Sequence, residues 1–418
     1  MNEKNNGNTR NEKFLALLLM AKLIEFTVES VVTAIGSFST LMIIVMLLEE
    51  LIYLVCGIAF IFNYFSKSNE ERIVKHTLIR TIFLMIGLTL LYIILSDNEF
   101  IVRNFGHAFR IILICGSIFY FAASITVDYS KVVKYLGCGI PLAIVYGFIS
   151  AFVLHTDYMV IANITILYAM ISYHLYKLSN SKKFLIGFIV LSALILFAGS
   201  RGALLWLIVF YVIYNLLLNR GITKKGLITV SALIMLIIVS ILFESQIIGL
   251  LASVFPNSRT IEMISISNIA DDSSRTNIWK FFAGEIAKEP LRIHGLFSDR
   301  LAINQNFMNS NRLGYWITEN RSYSYAHNIF LELLYDFGVF IGGIICIKII
   351  LLIGRIAKFS RDTDNKAEAG FYLIMLTSGF FMLLISDSFL LNVYFWFFIG
   401  LSNRTPKIRK FKIGNIRF

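Results

Sequence analysis

Apolar runs separated by short polar stretches dominate this chain. They fall near 14–34, 38–63, 77–95, 107–126, 134–154, 158–177, 183–199, 201–218, 226–244, 327–353, 369–386 and 388–402. Since about 20 apolar residues cross a bilayer as a helix, the pattern predicts an all-α polytopic membrane protein of about 12 transmembrane helices. Lys22, Glu25 and Glu29 interrupt the first run. Only Ser386-Asp387-Ser388 divides the last two, so a re-entrant hairpin is the alternative there. Residues 245–325 break the rhythm: they are polar, and too long for an ordinary connector. The chain therefore divides into nine N-terminal spans (1–244), a large extracytoplasmic loop (245–325), and three spans with a basic cytoplasmic tail (326–418). Inside the loop, Ser273-Ser274 can cap a helix whose apolar face is Ile278, Phe282 and Ile286, with Pro290 just past its end. Such an amphipathic helix is expected to lie on the membrane or across the mouth of a cavity.

Composition sharpens this reading. At 57% apolar and 15% charged residues, with a mean hydropathy of +0.74, the chain cannot be a soluble globule, for which about 25% charge is usual. A net charge of +12 would point to nucleic acid in a soluble protein. Here most of the 38 Lys and Arg fall in alternate inter-span segments, while the short segments on the other side carry only Arg103 and Arg201. The charge thus marks orientation, placing both termini in the cytoplasm, and no nucleic-acid partner is expected. The first span has no small-residue cleavage pattern and reads as retained. All four cysteines sit in apolar runs and read as core residues. No Gly-rich phosphate loop, HExxH or paired-cysteine spacing occurs. The Gly338–Gly342 spacing fits close helix packing.

Three features carry candidate chemistry. Gly199-Ser200-Arg201-Gly202-Ala203 forms a tight outer turn, with Arg201 at the N-terminal end of the next helix. Free N–H groups, the positive dipole end and a guanidinium fork make this place receptive to phosphate, and Gly202 allows close backbone approach. The alternative is an Arg reaching up to lipid head groups. Arg275 opens the loop helix, where a cation is electrostatically misplaced unless an anion answers it; pairing with Asp271 or Asp272 is the alternative. His327-Asn328 stands at the outer, N-terminal end of the tenth run. The dipole there disfavours imidazolium, so a neutral ring can accept a proton. The competing use is a hydrogen-bonded boundary histidine. Glu332 and Asp336 follow at helical spacing, where buried carboxylates are costly. Two arginines and two helix N-termini suit a pyrophosphate, and a neutral histidine suits a hydroxyl acceptor.

The same residues carry a resemblance. Gly-Ser-Arg-Gly-Ala at 199–203, a long external loop with Arg275, Trp279 and a Pro290–Gly295 stretch, then His327-Asn328, Leu331 and Gly338 resemble the O-antigen ligase and Wzy-type polysaccharide polymerase superfamily over about 185–350. Arg292 and His294 depart from the small residues the family often has in that stretch. The resemblance implies a glycosyltransferase-C-like helical bundle acting outside the membrane on undecaprenyl-pyrophosphate-linked oligosaccharides, as donor and as acceptor, with no cofactor or metal. It implies that Arg201 and Arg275 hold the donor pyrophosphate and that His327 is the acceptor's base. Gly202, Asn328 and Trp279 would complete the substrate-binding set. The bilayer, a flippase and a chain-length regulator of the same pathway are the implied partners. A composition favouring Asn, Lys and Ile, as in low-GC bacteria without lipid A, points to a capsule or exopolysaccharide polymerase. A ligase transferring finished glycan is the alternative within the class. A lipid-linked sugar transporter is the alternative outside it, but its charges would be expected along a midplane cavity in related halves.

Overall fold

In a computed structural model, the structure describes residues 3–36, 47–65, 116–124, 128–154, 158–198, 200–218, 273–307, 325–385, 387–390 and 392–401, with scattered short stretches besides. The described helices are α1 (Glu3–Ile35), α2 (Leu48–Phe65), α3 (Ser117–Ser124), α4 (Tyr129–Leu136) and α5 (Gly139–Phe148), which runs on into a π-helical turn (Ile149–Val153). They continue with α6 (Tyr158–Ser179), α7 (Lys182–Ala198), α8 (Arg201–Leu218), α9 (Ser273–Lys288) and α10 (Ser298–Phe307). The last are α11 (Ile329–Asp362), α12 (Lys366–Gly379), a 3-10 turn (Phe381–Leu384) and α13 (Val393–Gly400). Apart from a two-residue antiparallel pairing near the C-terminus, the described structure is helical.

Four of these stretches are long and apolar enough to cross a membrane: Tyr129–Val153, Met159–Ser179, Ile329–Asp362 and Lys366–Leu384. Several other predicted spans are realised as helices too short for that count. Within 388–402 the described α-helix is the eight residues of α13, started by Asn392, whose side chain accepts the Phe395 N–H. At 1.5 Å per residue this is about 12 Å, against a hydrocarbon core of about 30 Å. Hydropathy cannot see such breaks. The predicted spans at 226–244 and, but for isolated positions, 77–95 lie outside the described residues.

The chain forms two compact units. The first comprises Met1–Ser68, Val127–Thr276 and Lys366–Ser378. Its centre is α6, where Ile166 to Ile171 are all buried, with α7 and α8 following in sequence. The buried Tyr129 ring stacks on Phe371 of α12 at 4.7 Å and meets Tyr372 edge-on. His174 is buried and satisfied at both nitrogens, by the Tyr214 hydroxyl (2.7 Å) and the Ala367 carbonyl (3.0 Å). The carbonyl can only accept, so Nε2 carries the proton, Nδ1 accepts from Tyr214, and the ring is a structural tie. On α2, Leu51, Leu54, Val55, Ile58, Ile61 and Phe62 are exposed, an apolar surface of the kind lipid covers.

The second unit comprises Asn69–Thr126, Asn277–Asn365 and Gly379–Phe418. Its long helix α11 is two helices joined at a break. Gly338 has φ 70° and ψ 163°, conformations essentially closed to residues with a side chain. A short segment, Ile329 to Phe337, precedes the break. The longer segment after it exposes Val339, Phe340, Ile344, Ile347, Ile350 and Leu351, as a lipid-facing helix does.

Candidate functional site

Helix α8 starts at Arg201, where its sequence predicts a helix N-terminus; Gly199 lies outside the described residues. Helix α7 ends at Ala198 and α8 begins at Arg201, with the Ser200 carbonyl accepting the first helical hydrogen bond from Leu204 N–H (3.2 Å). Among the described residues, a Cβ placed on Gly202 would meet no atom within 4 Å.

The loop helix also forms where predicted, as α9, with half-buried Arg275 in its first turn. Asp271 and Asp272 lie outside the described residues. The apolar stripe does not lie on a lipid surface. Ile278 and Phe282 are fully buried with Ala302, Ile303, Ala326 and Tyr335, while Trp279 and Ile286 pack against that cluster. Of the two expected placements, on the membrane or across a cavity mouth, neither accounts for the stripe itself, which finds its apolar partners on α10 and on the first segment of α11. Trp279 is brought to the cluster containing Ala326, next to His327; its buried Nε1 has no acceptor among the described residues.

His327 occupies an unusual turn. Its φ of 53° is left-handed, uncommon for a residue with a side chain. Asn328 then starts α11, its side-chain oxygen accepting from Phe330 N–H (3.0 Å) and Leu331 N–H (3.2 Å) and its Nδ2 donating to the Leu384 carbonyl (3.4 Å). The Asn328 side chain thus closes the helix start beside His327. The Tyr325 ring lies 4.1 Å from the imidazole, which remains half-buried.

Beneath this turn lies a network that sequence reasoning missed in part. Glu332 and Asp336 were singled out as costly carboxylates, and both are fully buried. Their surroundings come from α10, in Asp299 and Arg300, also buried, and from Ser388. Asp299 accepts from Ala326 N–H (3.1 Å) and from Arg300 Nη1 (3.3 Å). Arg300 Nη2 donates to the Ser388 hydroxyl (3.0 Å), which in turn donates to Glu332, and Phe389 N–H reaches the second Glu332 oxygen (3.4 Å). Burial raises the Asp299 carboxyl above its usual range against the opposing pull of Arg300, as expected when an ion pair does not recover its desolvation cost. Asp336 accepts from Ser298 through one oxygen (3.0 Å); its other oxygen has no partner among the described residues.

The Pro290–Gly295 stretch crosses the break in α11. Val339 N–H donates to the Pro290 carbonyl (2.7 Å), Gly295 N–H to the Asp336 carbonyl (3.0 Å), and His294 Nδ1 to the Tyr335 carbonyl (2.9 Å). The His294 ring stacks on Tyr335 at 3.9 Å, and burial lowers its pKa below the ordinary histidine value, keeping it neutral near pH 7. The departures from the family's small residues are thus accommodated. His294 docks the loop, and Arg292 turns outward to pair with Glu289 at 2.6 Å. Gly338, expected to serve helix packing, instead makes room for this crossing. A Cβ there would come within 2.9 Å of the Arg292 carbonyl and 3.1 Å of the Leu291 carbonyl, both backbone atoms. Gly338→Ala should cost about 1–3 kcal/mol from the backbone conformation alone, with the clash added. A lowered thermal midpoint of the detergent-purified protein checks it; an unchanged midpoint would show that the break is not held as described.

Among the described residues, no group of three or more His, Cys, Asp or Glu side chains is placed to hold a metal ion. The site residues fall into two sets, each described in its own unit: Arg201 and Arg275 in the first, and Trp279, His327 and Asn328 in the second. No curated protein matches the chain. Residues 186–347, from within α7 through the break in α11, match the model of the O-antigen ligase family, so this segment is similar to O-antigen ligases.

Proposed function

We propose that the protein is a polysaccharide polymerase that joins undecaprenyl-pyrophosphate-linked oligosaccharide repeat units on the outer face of the cytoplasmic membrane. The observation that carries this reading is His327, held on a left-handed turn at the start of a helix inside the family-matched segment. In the step proposed, an acceptor sugar hydroxyl attacks the anomeric carbon of the donor glycan. The carbon–oxygen bond to the pyrophosphate breaks, the lipid pyrophosphate leaves with the electron pair, and His327 takes the hydroxyl proton. Arg201, at the N-terminus of α8, and Arg275, in the first turn of α9, are assigned the departing pyrophosphate, where a planar cation and the free N–H groups of a helix start offset developing charge. Gly202 gives the phosphates room, and Trp279 and Asn328 line the sugar side. The chain would consume units delivered by a lipid-linked oligosaccharide flippase and act beside a chain-length regulator, with both its termini cytoplasmic.

A second reading, transfer of finished glycan to another acceptor, is favoured by the family's description as O-antigen ligase. Deletion of the gene separates the two. A polymerase leaves single repeats on the carrier, whereas a ligase leaves long polymer accumulating on it. Cells whose surface glycan is unaltered in length and attachment would exclude both.

A further inference from the structure

We propose that Asp299 and Arg300 are positioning residues that hold His327 in its reactive orientation; this rests on the reading of His327 as the acceptor's base. The left-handed backbone of His327 is a conformation of the kind that costs about 1–3 kcal/mol and persists only where neighbours determine it. After the histidine, the Asn328 cap fixes the chain. Before it, the Ala326 N–H is fixed by Asp299 Oδ2. The two oxygens of Asp299 therefore divide their work, one holding the backbone beside His327 and the other holding Arg300.

Arg300 carries the constraint onward through the Ser388 hydroxyl to Glu332, which lies one helical turn after Asn328. The His327 turn is thus held before it by Asp299 and capped after it by Asn328, and the buried Arg300 and Ser388 tie Asp299 to Glu332 on the helix that Asn328 starts. Neutral groups could cap a turn. A buried charged relay holds its members more strongly than neutral groups would, which suits a side chain that must meet a hydroxyl within a few tenths of an ångström.

The test uses the full-length chain in detergent, with radiolabelled lipid-linked repeat units extracted from cells lacking the gene. Turnover and KM are measured per monodisperse protein for wild type, Asp299→Asn, Asp299→Leu, Arg300→Lys and His327→Ala. Asn can still accept from Ala326 N–H but holds the guanidinium weakly. Asp299→Asn should therefore lower kcat about 10–100-fold at a KM within about twofold of wild type, the scale expected for a misplaced reacting group. Asp299→Leu should fall further, and Arg300→Lys should lie between Asp299→Asn and wild type.

A merely structural role would reduce the yield of monodisperse protein while leaving its kcat intact, and that result overturns the proposal. So does a raised KM at wild-type kcat. Should Asp299→Leu fail to fold, Asp299→Asn decides the question. Wild-type turnover in Asp299→Asn beside an inactive His327→Ala would overturn the positioning role alone. Wild-type turnover in His327→Ala would overturn the role of His327 and this proposal with it.

Discussion

Replacing His327 should halt chain growth with the protein still folded, lowering turnover about 10²–10⁴-fold, the usual contribution of a positioned general base. The choice of substitute matters because of the φ of 53°. Alanine must sit in the left-handed region without the local hydrogen bonds that polar side chains offer there, so some of its effect would be conformational. Asparagine tolerates the left-handed region well and cannot take up a proton near neutral pH. His327→Asn should therefore match wild type in membrane abundance and thermal midpoint and match His327→Ala in lost activity. The imidazole is half-buried, with its ring against Tyr325, and asparagine keeps a polar side chain at the turn. The measurement is extension of a defined lipid-linked repeat. Near-normal extension by His327→Asn would exclude proton abstraction by this residue and leave His327 as a turn former.

What was legible in the sequence was local. The starts of α8 at Arg201 and of the helix following His327 are written in residues a few positions apart. So is the extent of α9, from Ser273 to a stop before Pro290. The burial of Glu332 and Asp336 was legible too, because a carboxylate among apolar residues has few exposed alternatives. Asp299 and Arg300 were not. In a polar loop they read as two more solvated charges, and Arg300's partner Ser388 lies 88 positions further along.

Gly338 shows the same limit from another side. Its small size was read correctly and its use was not, since neither a positive φ nor a crossing carbonyl from Leu291 and Arg292 leaves a mark on neighbouring positions. Span counting meets a related limit: mean hydropathy registers that 388–402 is apolar but not that its described helix, α13, has eight residues.

Arg300→Met should be the most damaging single change to stability, costing about 3–5 kcal/mol, as is usual when one partner of a buried ion pair is removed. The arginine is 2% exposed, and Asp299 and Glu332 are wholly buried, so no water replaces the lost donors. Methionine matches the aliphatic stem and keeps part of the contact with the Phe297 ring, over which the guanidinium sits at 4.6 Å. The loss therefore reports the charge and its hydrogen bonds more than the volume. Two carboxylates would be left with a backbone N–H each and the Ser388 hydroxyl.

Neutralising one of them gives the decisive comparison. Glu332→Gln alone should destabilise, because it leaves Arg300 with a weaker set of acceptors. In the Arg300→Met background it should restore about 1–2 kcal/mol, within the range of coupling found between residues of one network. Gln can keep its oxygen on the Phe389 N–H and donate to a rotated Ser388 hydroxyl. Thermal midpoints of the four purified proteins close the cycle. Additive losses would mean that Arg300 and Glu332 do not act on one another. The relay that ties α10 to the His327 turn would then end at Asp299.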